Sequence, residues 1–221
     1  MPKITRPLLI AITDRRLFRM QPADWAREAI AGGVDLIQVR EKDLSESELL
    51  QFAPQILEGT HPNDSRGSDP GLKTEEPFQG SRVQINGSWG IARLFDCGLH
   101  LPESEPVPSR PPHPLSRSIH SLESALTSTG VDFLIAGHIF ATPSKSESAP
   151  RGLDWLSSIA DAVTIPVVAI GGITSENAAS CVEHGASGVA VISAIAASDD
   201  PQKSASTLRQ ELDRAWERKD G

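Results

Sequence analysis

Short apolar runs recur along the chain, separated by longer stretches in which apolar positions return every three or four residues. The runs are "PLLIAIT" (7–13), "VDLIQVR" (34–40), "RVQIN" (82–86), "GLHLP" (98–102), "SRSIH" (116–120), "VDFLIAGH" (131–138), "PVVAIGG" (166–172) and "GVAVIS" (188–193). Their length and their flanking Gly and Pro residues predict eight strands. The stretches between them predict helices. Trp25, Ala26, Ala29 and Ile30 share one face of 22–33, and Gly32-Gly33 supplies a stop. Ser45 and Glu48 stand at capping-box spacing ahead of Leu49, Phe52, Ala53 and Ile56 in 45–57. Pro54 within that segment is expected to bend or shorten the helix. Further helical patterns cover 88–97, 122–130, 151–163, 175–185 and 201–219.

The strands are apolar without regular alternation, as in a parallel sheet covered on its faces. Eight strands, nearly all followed by a helix, predict a (β/α)8 barrel occupying 1–221 as a single domain. An open doubly wound sheet is the competing arrangement. The count of units and the two Gly-containing loops near the end favour closure. Residues 58–81, "EGTHPNDSRGSDPGLKTEEPFQGS", are polar and rich in Gly, Pro and Ser. They are expected to form a long flexible loop inside the domain, on the face opposite the active mouth.

Composition narrows the picture modestly. The 221 residues are 38% hydrophobic and 23% charged, with a formal net charge of -8. That balance argues against general nucleic-acid binding but leaves room for a local phosphate pocket. The two cysteines, Cys97 and Cys181, show neither metal nor disulfide spacing. The opening "MPKITRPLLIAITDRR" has too short an apolar run for a membrane span or a signal peptide. A cytoplasmic protein is expected.

In a barrel the chemistry gathers at the C-terminal ends of the strands. Strand two brings Gln38, Arg40 and Lys42 to one side by alternation, placing two cations at the mouth. Strand three ends at Asn86, strand four near His100, and strand five at Ser118 and His120. Strand six runs out into "GHIFATPSK", with His138, Thr142 and Lys145. "AIGGITSEN" offers Gly171 and Gly172 to a phosphate, and Ser193 after strand eight completes the grip. His100, His120 and His138 lack metal-ligand spacing, so no metal site is expected.

Taken together, "ITDR", "QVREK", "GLHLPE", "SIHSLESA", "GHIFATPSK", "IPVVAIGGITSEN" and "GVAVISAI" resemble the thiamine phosphate synthase/TenI family over nearly the whole chain, from about residue 8 to 198. The resemblance implies the (β/α)8 barrel, a small phosphorylated thiazole as ligand and a homodimer as the assembly. It implies one of two activities. The synthases join hydroxymethylpyrimidine pyrophosphate to thiazole phosphate with Mg²⁺. They carry Asn-Asp-Arg at strand three and an acidic segment after strand four. Here those places read "INGS" and "HLPESE", and His138 stands where synthases usually have proline. These departures point to the TenI branch, a thiazole tautomerase, with His138 as catalytic acid/base and no cofactor. In that reading Gly171, Gly172 and Ser193 hold the phosphate and Arg40 and Lys42 face a carboxylate. Gln38, Asn86, His120, Thr142 and Lys145 line the site. A Mg²⁺-dependent synthase and a non-catalytic, thiazole-phosphate-binding regulator are the alternatives.

Overall fold

The computed structural model describes residues 4–60 and 81–220. Most of the expected 58–81 loop therefore lies outside the described residues. Eight parallel strands close into a barrel in sequence order. They are β1 (Leu8–Ile12), β2 (Leu36–Val39), β3 (Val83–Asn86), β4 (Gly98–Leu101), β5 (Leu115–Ile119), β6 (Phe133–Gly137), β7 (Val167–Ile170) and β8 (Gly188–Val191). The pairing of β1 with β8 completes the circle. The helices are α1 (Pro22–Ala31), α2 (Glu46–Thr60), α3 (Trp89–Leu94), α4 (Leu122–Thr127), α5 (Gly152–Ala162), α6 (Ala178–Glu183), α7 (Ser193–Ala196) and α8 (Pro201–Asp220). The connection from β4 to β5 carries no helix.

Alternation along each strand divides the apolar residues into two sets. The outward set, including Leu9, Ala11, Ile37, Val39, Val83, Ile85 and Leu99, packs against the helix layer. The inward set is Leu8, Ile10, Ile12, Leu36, Phe133, Ile135, Val168 and Ala190. It comes from β1, β2, β6, β7 and β8, so one side of the barrel interior is greasy. The other side, on β2 to β5, is lined by buried Gln38, Gln84, His100 and Ser116. Each fully buried Leu or Ile contributes roughly 1.5–3 kcal/mol through removal from water. The polar half has to be stabilised by hydrogen bonds instead.

Two expectations are corrected. Helix α2 does not stop or shorten at Pro54; it continues to Thr60 and absorbs residues 58–60 of the expected loop. Pro54 is exposed, so the carbonyl deprived of its helical donor can turn to water, while Leu49, Phe52, Ala53 and Ile56 keep the helix pinned to the core. Ser193 does not end a strand; it opens the four-residue helix α7. Trp25 fixes α7 by donating its indole N–H to the Ile195 carbonyl at 3.3 Å.

An ionic staple closes the end of the barrel opposite the mouth. Asp35, just before β2, is buried and accepts from the backbone N–H of Leu9 at 2.8 Å. Arg6 and, at 3.2 Å, Arg209 of α8 also donate to its carboxylate. Burial pushes the Asp35 carboxyl up, and the two guanidiniums oppose that shift. The staple holds the C-terminal helix under strands one and two.

Candidate active site

The polar half of the barrel carries a hydrogen-bond network that ends at the mouth. Gln84 anchors it: its amide nitrogen donates to the carbonyls of Leu99 and Pro114, both at 3.0 Å. Its oxygen then accepts from Gln38 Nε2 at 3.1 Å and from the Ser116 hydroxyl at 3.0 Å. With its amide group spent on Gln84, Gln38 accepts at Oε1 from Asn86 Nδ2, 3.2 Å away. Ser116, having given its proton to Gln84, accepts from His100 Nδ1 at 2.7 Å. His100 Nε2 is left to accept from Ser118 at 2.8 Å. The buried core of the network, Gln84, Ser116 and His100, thus has its donors matched to acceptors, and Asn86 and Ser118 form the upper edge. Burial, reinforced by the nearby Arg40 charge, pushes His100 down to about 3. It is a neutral member of the wall.

Arg40, one step beyond Val39, rises from this wall. Its backbone N–H donates to Thr13 Oγ1 at 3.0 Å, which sets the direction in which the chain leaves β2. Burial lowers its pKa, opposed by Asp14 and Glu41. Lys42 lies alongside and is held below the usual ammonium range, first by Arg40, then by burial, then by Lys145 of the loop after β6. A cavity of about 380 Å³ opens here, lined by Arg40, Lys42, Glu46, Leu49, Asn86 and Gly87 among others.

The acids of this rim are largely engaged. Glu41 accepts from the Arg15 backbone at 3.0 Å and from its guanidinium at 3.1 Å. Asp43 takes the same guanidinium bidentately at 2.8 and 3.0 Å. Asp14 is clamped by Arg16 at 2.8 and 3.0 Å, and that pairing holds its carboxyl below the usual range. Glu103 accepts from the His120 N–H at 3.1 Å. Among the described residues no three Asp, Glu, His or Cys side chains gather where a metal ion could sit. Hard divalent ions favour converging carboxylate oxygens, so these residues do not fit the Mg²⁺ that resemblance to the synthases implies.

Across the mouth, the loop after β6 folds over a second cavity of about 550 Å³, lined by His120, His138, Lys145, Ser148 and Arg151 among others. His138 is buried and its Nε2 donates to the Ser148 carbonyl at 3.3 Å. The Arg151 N–H returns to the His138 carbonyl at 3.0 Å. The imidazole therefore stitches its own loop together. His120 donates from Nδ1 to the Gly137 carbonyl at 3.3 Å. Thr142 opens the 3-10 turn Pro143–Lys145 that carries the lysine.

Gly171 and Gly172 have φ of +102° and +65°. A Cβ on Gly171 would lie 2.3 Å from that of His138, and one on Gly172 would lie 2.4 Å from the Ala141 carbonyl oxygen. Both glycines are needed for the close seating of the β6 loop, which is tied down by Ile139 N–H to Ile170 O at 2.9 Å and Phe140 N–H to Gly171 O at 3.0 Å. No hydrogen bond to a described residue is seen from the backbone N–H groups of Gly172 and Ser193, whereas Gly171 follows directly on the β7–β8 ladder.

With this geometry in view, the likenesses to known proteins are informative. The family described as "Thiamine monophosphate synthase" matches residues 9–66 and 77–195. The chain belongs to this family. A thiamine-phosphate synthase of Syntrophomonas wolfei is 32% identical over 95% of this chain and 96% of its own length. One from Pyrococcus furiosus is 34% identical, over 91% of this chain and 93% of its own. The solved structure of a thiamine phosphate pyrophosphorylase from Pyrococcus furiosus covers 96% of this chain and 98% of its own, at 30% identity and a TM-score of 0.76. The barrel expected from the strand pattern is the barrel of this family.

These relatives overturn one expectation. The tautomerase assignment leaned on His138 and on the altered strand-three and strand-four segments. Yet relatives that match over nearly their full length carry the synthase name. The geometry gives a physical reason for discounting the histidine: its Nε2 is occupied by the Ser148 carbonyl. Among the expected site residues, Gln38 and Asn86 share the network, and Arg40, Lys42 and Asn86 share the first cavity. His120, His138 and Lys145 share the second. Gln84, Glu46 and Arg151 belong to the site but are not singled out by the sequence, which marks Ser118 only as a strand end. Alternation in "RVQIN" puts Gln84 on the same side as Asn86 and is the signal that would have found it. No local signal marks Glu46 or Arg151, which reach the cavities through tertiary folding.

Proposed function

We propose that the chain is a thiamine-phosphate synthase, a transferase of thiamine biosynthesis. In that reaction a bond forms between the thiazole ring nitrogen and the methylene carbon of hydroxymethylpyrimidine pyrophosphate. The carbon–oxygen bond breaks, and pyrophosphate leaves with the electron pair. The observation that carries the proposal is the trio Arg40, Lys42 and Lys145, close enough that the other two depress the Lys42 pKa. A leaving diphosphate gains negative charge as the bond breaks, and fixed cations aimed at it lower the barrier. The names of the relatives support the same reaction.

The remaining residues take roles that follow from their settings. Gln38 and Asn86 present an oriented amide edge suited to a nitrogen-rich ring. The backbone at Gly171, Gly172 and Ser193, with the N–H groups of Gly172 and Ser193 turned to no described acceptor, suits the thiazole phosphate. His120 and Thr142 line the approach. The joining step moves no proton, so His138 serves as a positioning residue that holds the loop bearing Lys145.

Growth tests the proposal. Expression of the chain in a bacterium lacking its own thiamine-phosphate synthase should restore growth without thiamine, and the Arg40→Met variant should not. Failure of the unaltered chain to rescue, at confirmed soluble expression, would count against a synthase.

A further inference from the structure

We infer that this site binds the diphosphate of its substrate through Arg40, Lys42 and Lys145 alone, without a divalent cation held on the chain's carboxylates. The identity of the anion rests on the synthase reading; the charge argument does not.

Two observations carry the inference. The first is where the acids point. Asp14 is spent on Arg16, and Glu41 and Asp43 are spent on Arg15. Glu41 is the most buried of these, with its side chain 1% exposed, so no rotation frees it for an ion at the mouth. Glu103 is turned toward the His120 backbone, and Glu105 is exposed in the turn after β4 without two further His, Cys, Asp or Glu side chains beside it among the described residues. Glu46 accepts only the Ser88 hydroxyl, at 3.3 Å, but it shares its cavity with Arg40 and Lys42, where a dication would meet two like charges. At strand three, Gly87 places nothing within 4 Å of where a Cβ would stand, and Ser88 caps α3 through the Ile91 N–H. Neither brings a carboxylate.

The second observation is the surplus of positive charge. Arg40, Lys42 and Lys145 make no ion pair with any described carboxylate, whereas Arg15 and Arg16 beside them are fully paired. Lys42 feels its two neighbours as uncompensated repulsion. Arg40 and Lys42 line one cavity of the mouth and Lys145 lines the other, so the three unpaired cations face a polyanion from two walls. Arg40 provides a planar fork and the lysines provide point charges. The lysine of the β6 loop closes on the anion from the opposite side, which makes the loop's seating on Gly171 and Gly172 part of the binding device.

Isothermal titration of the full chain with inorganic pyrophosphate, in EDTA and in excess MgCl₂, tests this. Mg²⁺ complexes pyrophosphate in solution, so the expected affinity in EDTA equals or exceeds that in MgCl₂. Lys145→Ala, an exposed substitution, should weaken binding in EDTA by tenfold or more. Binding seen only with MgCl₂, or tightened tenfold by it, would overturn the inference. So would a Lys145→Ala variant that binds as the parent does, or a protein that makes thiamine phosphate yet binds no pyrophosphate in EDTA. Tight binding in EDTA by a protein that makes no thiamine phosphate would sink the synthase reading and leave the metal-free site standing.

Discussion

Arg40 has the most demanding position of any residue at the mouth. It must stay charged although burial opposes this, with Asp14 and Glu41 near enough to help but not to pair. Replacing it by Lys keeps the charge and loses the fork. We expect kcat/KM for the pyrimidine substrate to fall by about 10²–10³-fold in Arg40→Lys, the range found for removing one fixed donor to a developing anion. Steady-state kinetics with an unchanged thermal midpoint would establish that the loss is functional. His100 makes a second prediction. The unfolded ring takes a proton below about pH 6.5, whereas the folded ring stays neutral down to about 3. Stability is therefore full above pH 6.5 and lost as pH falls toward 3, at up to ~1.4 kcal/mol per pH unit for one proton. Urea midpoints measured from pH 7 to 5 should fall more steeply for the parent than for His100→Gln. Parallel slopes would mean that His100 titrates normally.

Among the elements, the β6 loop depends on the turn at the end of the next strand, β7. Gly171→Ala puts a Cβ against His138 at a backbone angle that L side chains rarely adopt. We expect a stability loss of about 1–3 kcal/mol, and a fall in kcat/KM on the order of 10²-fold as Lys145 is displaced. Full activity in Gly171→Ala would show that the loop tolerates other seatings. The Asp35 staple makes the contrasting case at the far end of the barrel. Asp35→Asn leaves Arg209 and Arg6 short of a carboxylate. Unfolding free energy should drop by about 3–5 kcal/mol, while kcat/KM of the folded protein is unchanged. Chemical denaturation and kinetics on the same preparation separate the two effects. These dependencies explain what the sequence could and could not reveal. Glycines in "AIGGITSEN" announce a special turn, but whether a ligand or another loop approaches them is a tertiary fact. Helix α7 is four residues long, too short to show a period. Pro54 signals a break that core packing overrides.

For the molecule as a whole, closure of the barrel was legible because it follows from repetition: eight apolar runs at strand length, nearly all followed by a helix. The inner division into a greasy half and a hydrogen-bonded half was not. It depends on which inward residues meet across neighbouring strands, as Gln38 meets Gln84 and His100 meets Ser116. The positions of Arg40, Lys42, Lys145 and Asn86 could be placed at the mouth from strand ends alone. The branch of the family could not be read from His138, because an imidazole at a strand end is equally suited to relaying a proton or to tying a loop. The central claim is that this mouth joins two rings and expels pyrophosphate. Phosphorus NMR of the purified protein with hydroxymethylpyrimidine pyrophosphate and thiazole phosphate tests it most directly. We predict that thiamine phosphate and free pyrophosphate appear together in equal amounts, with neither formed by the Arg40→Met variant. Persistence of both starting phosphates, with the protein folded and both ligands bound, would contradict it.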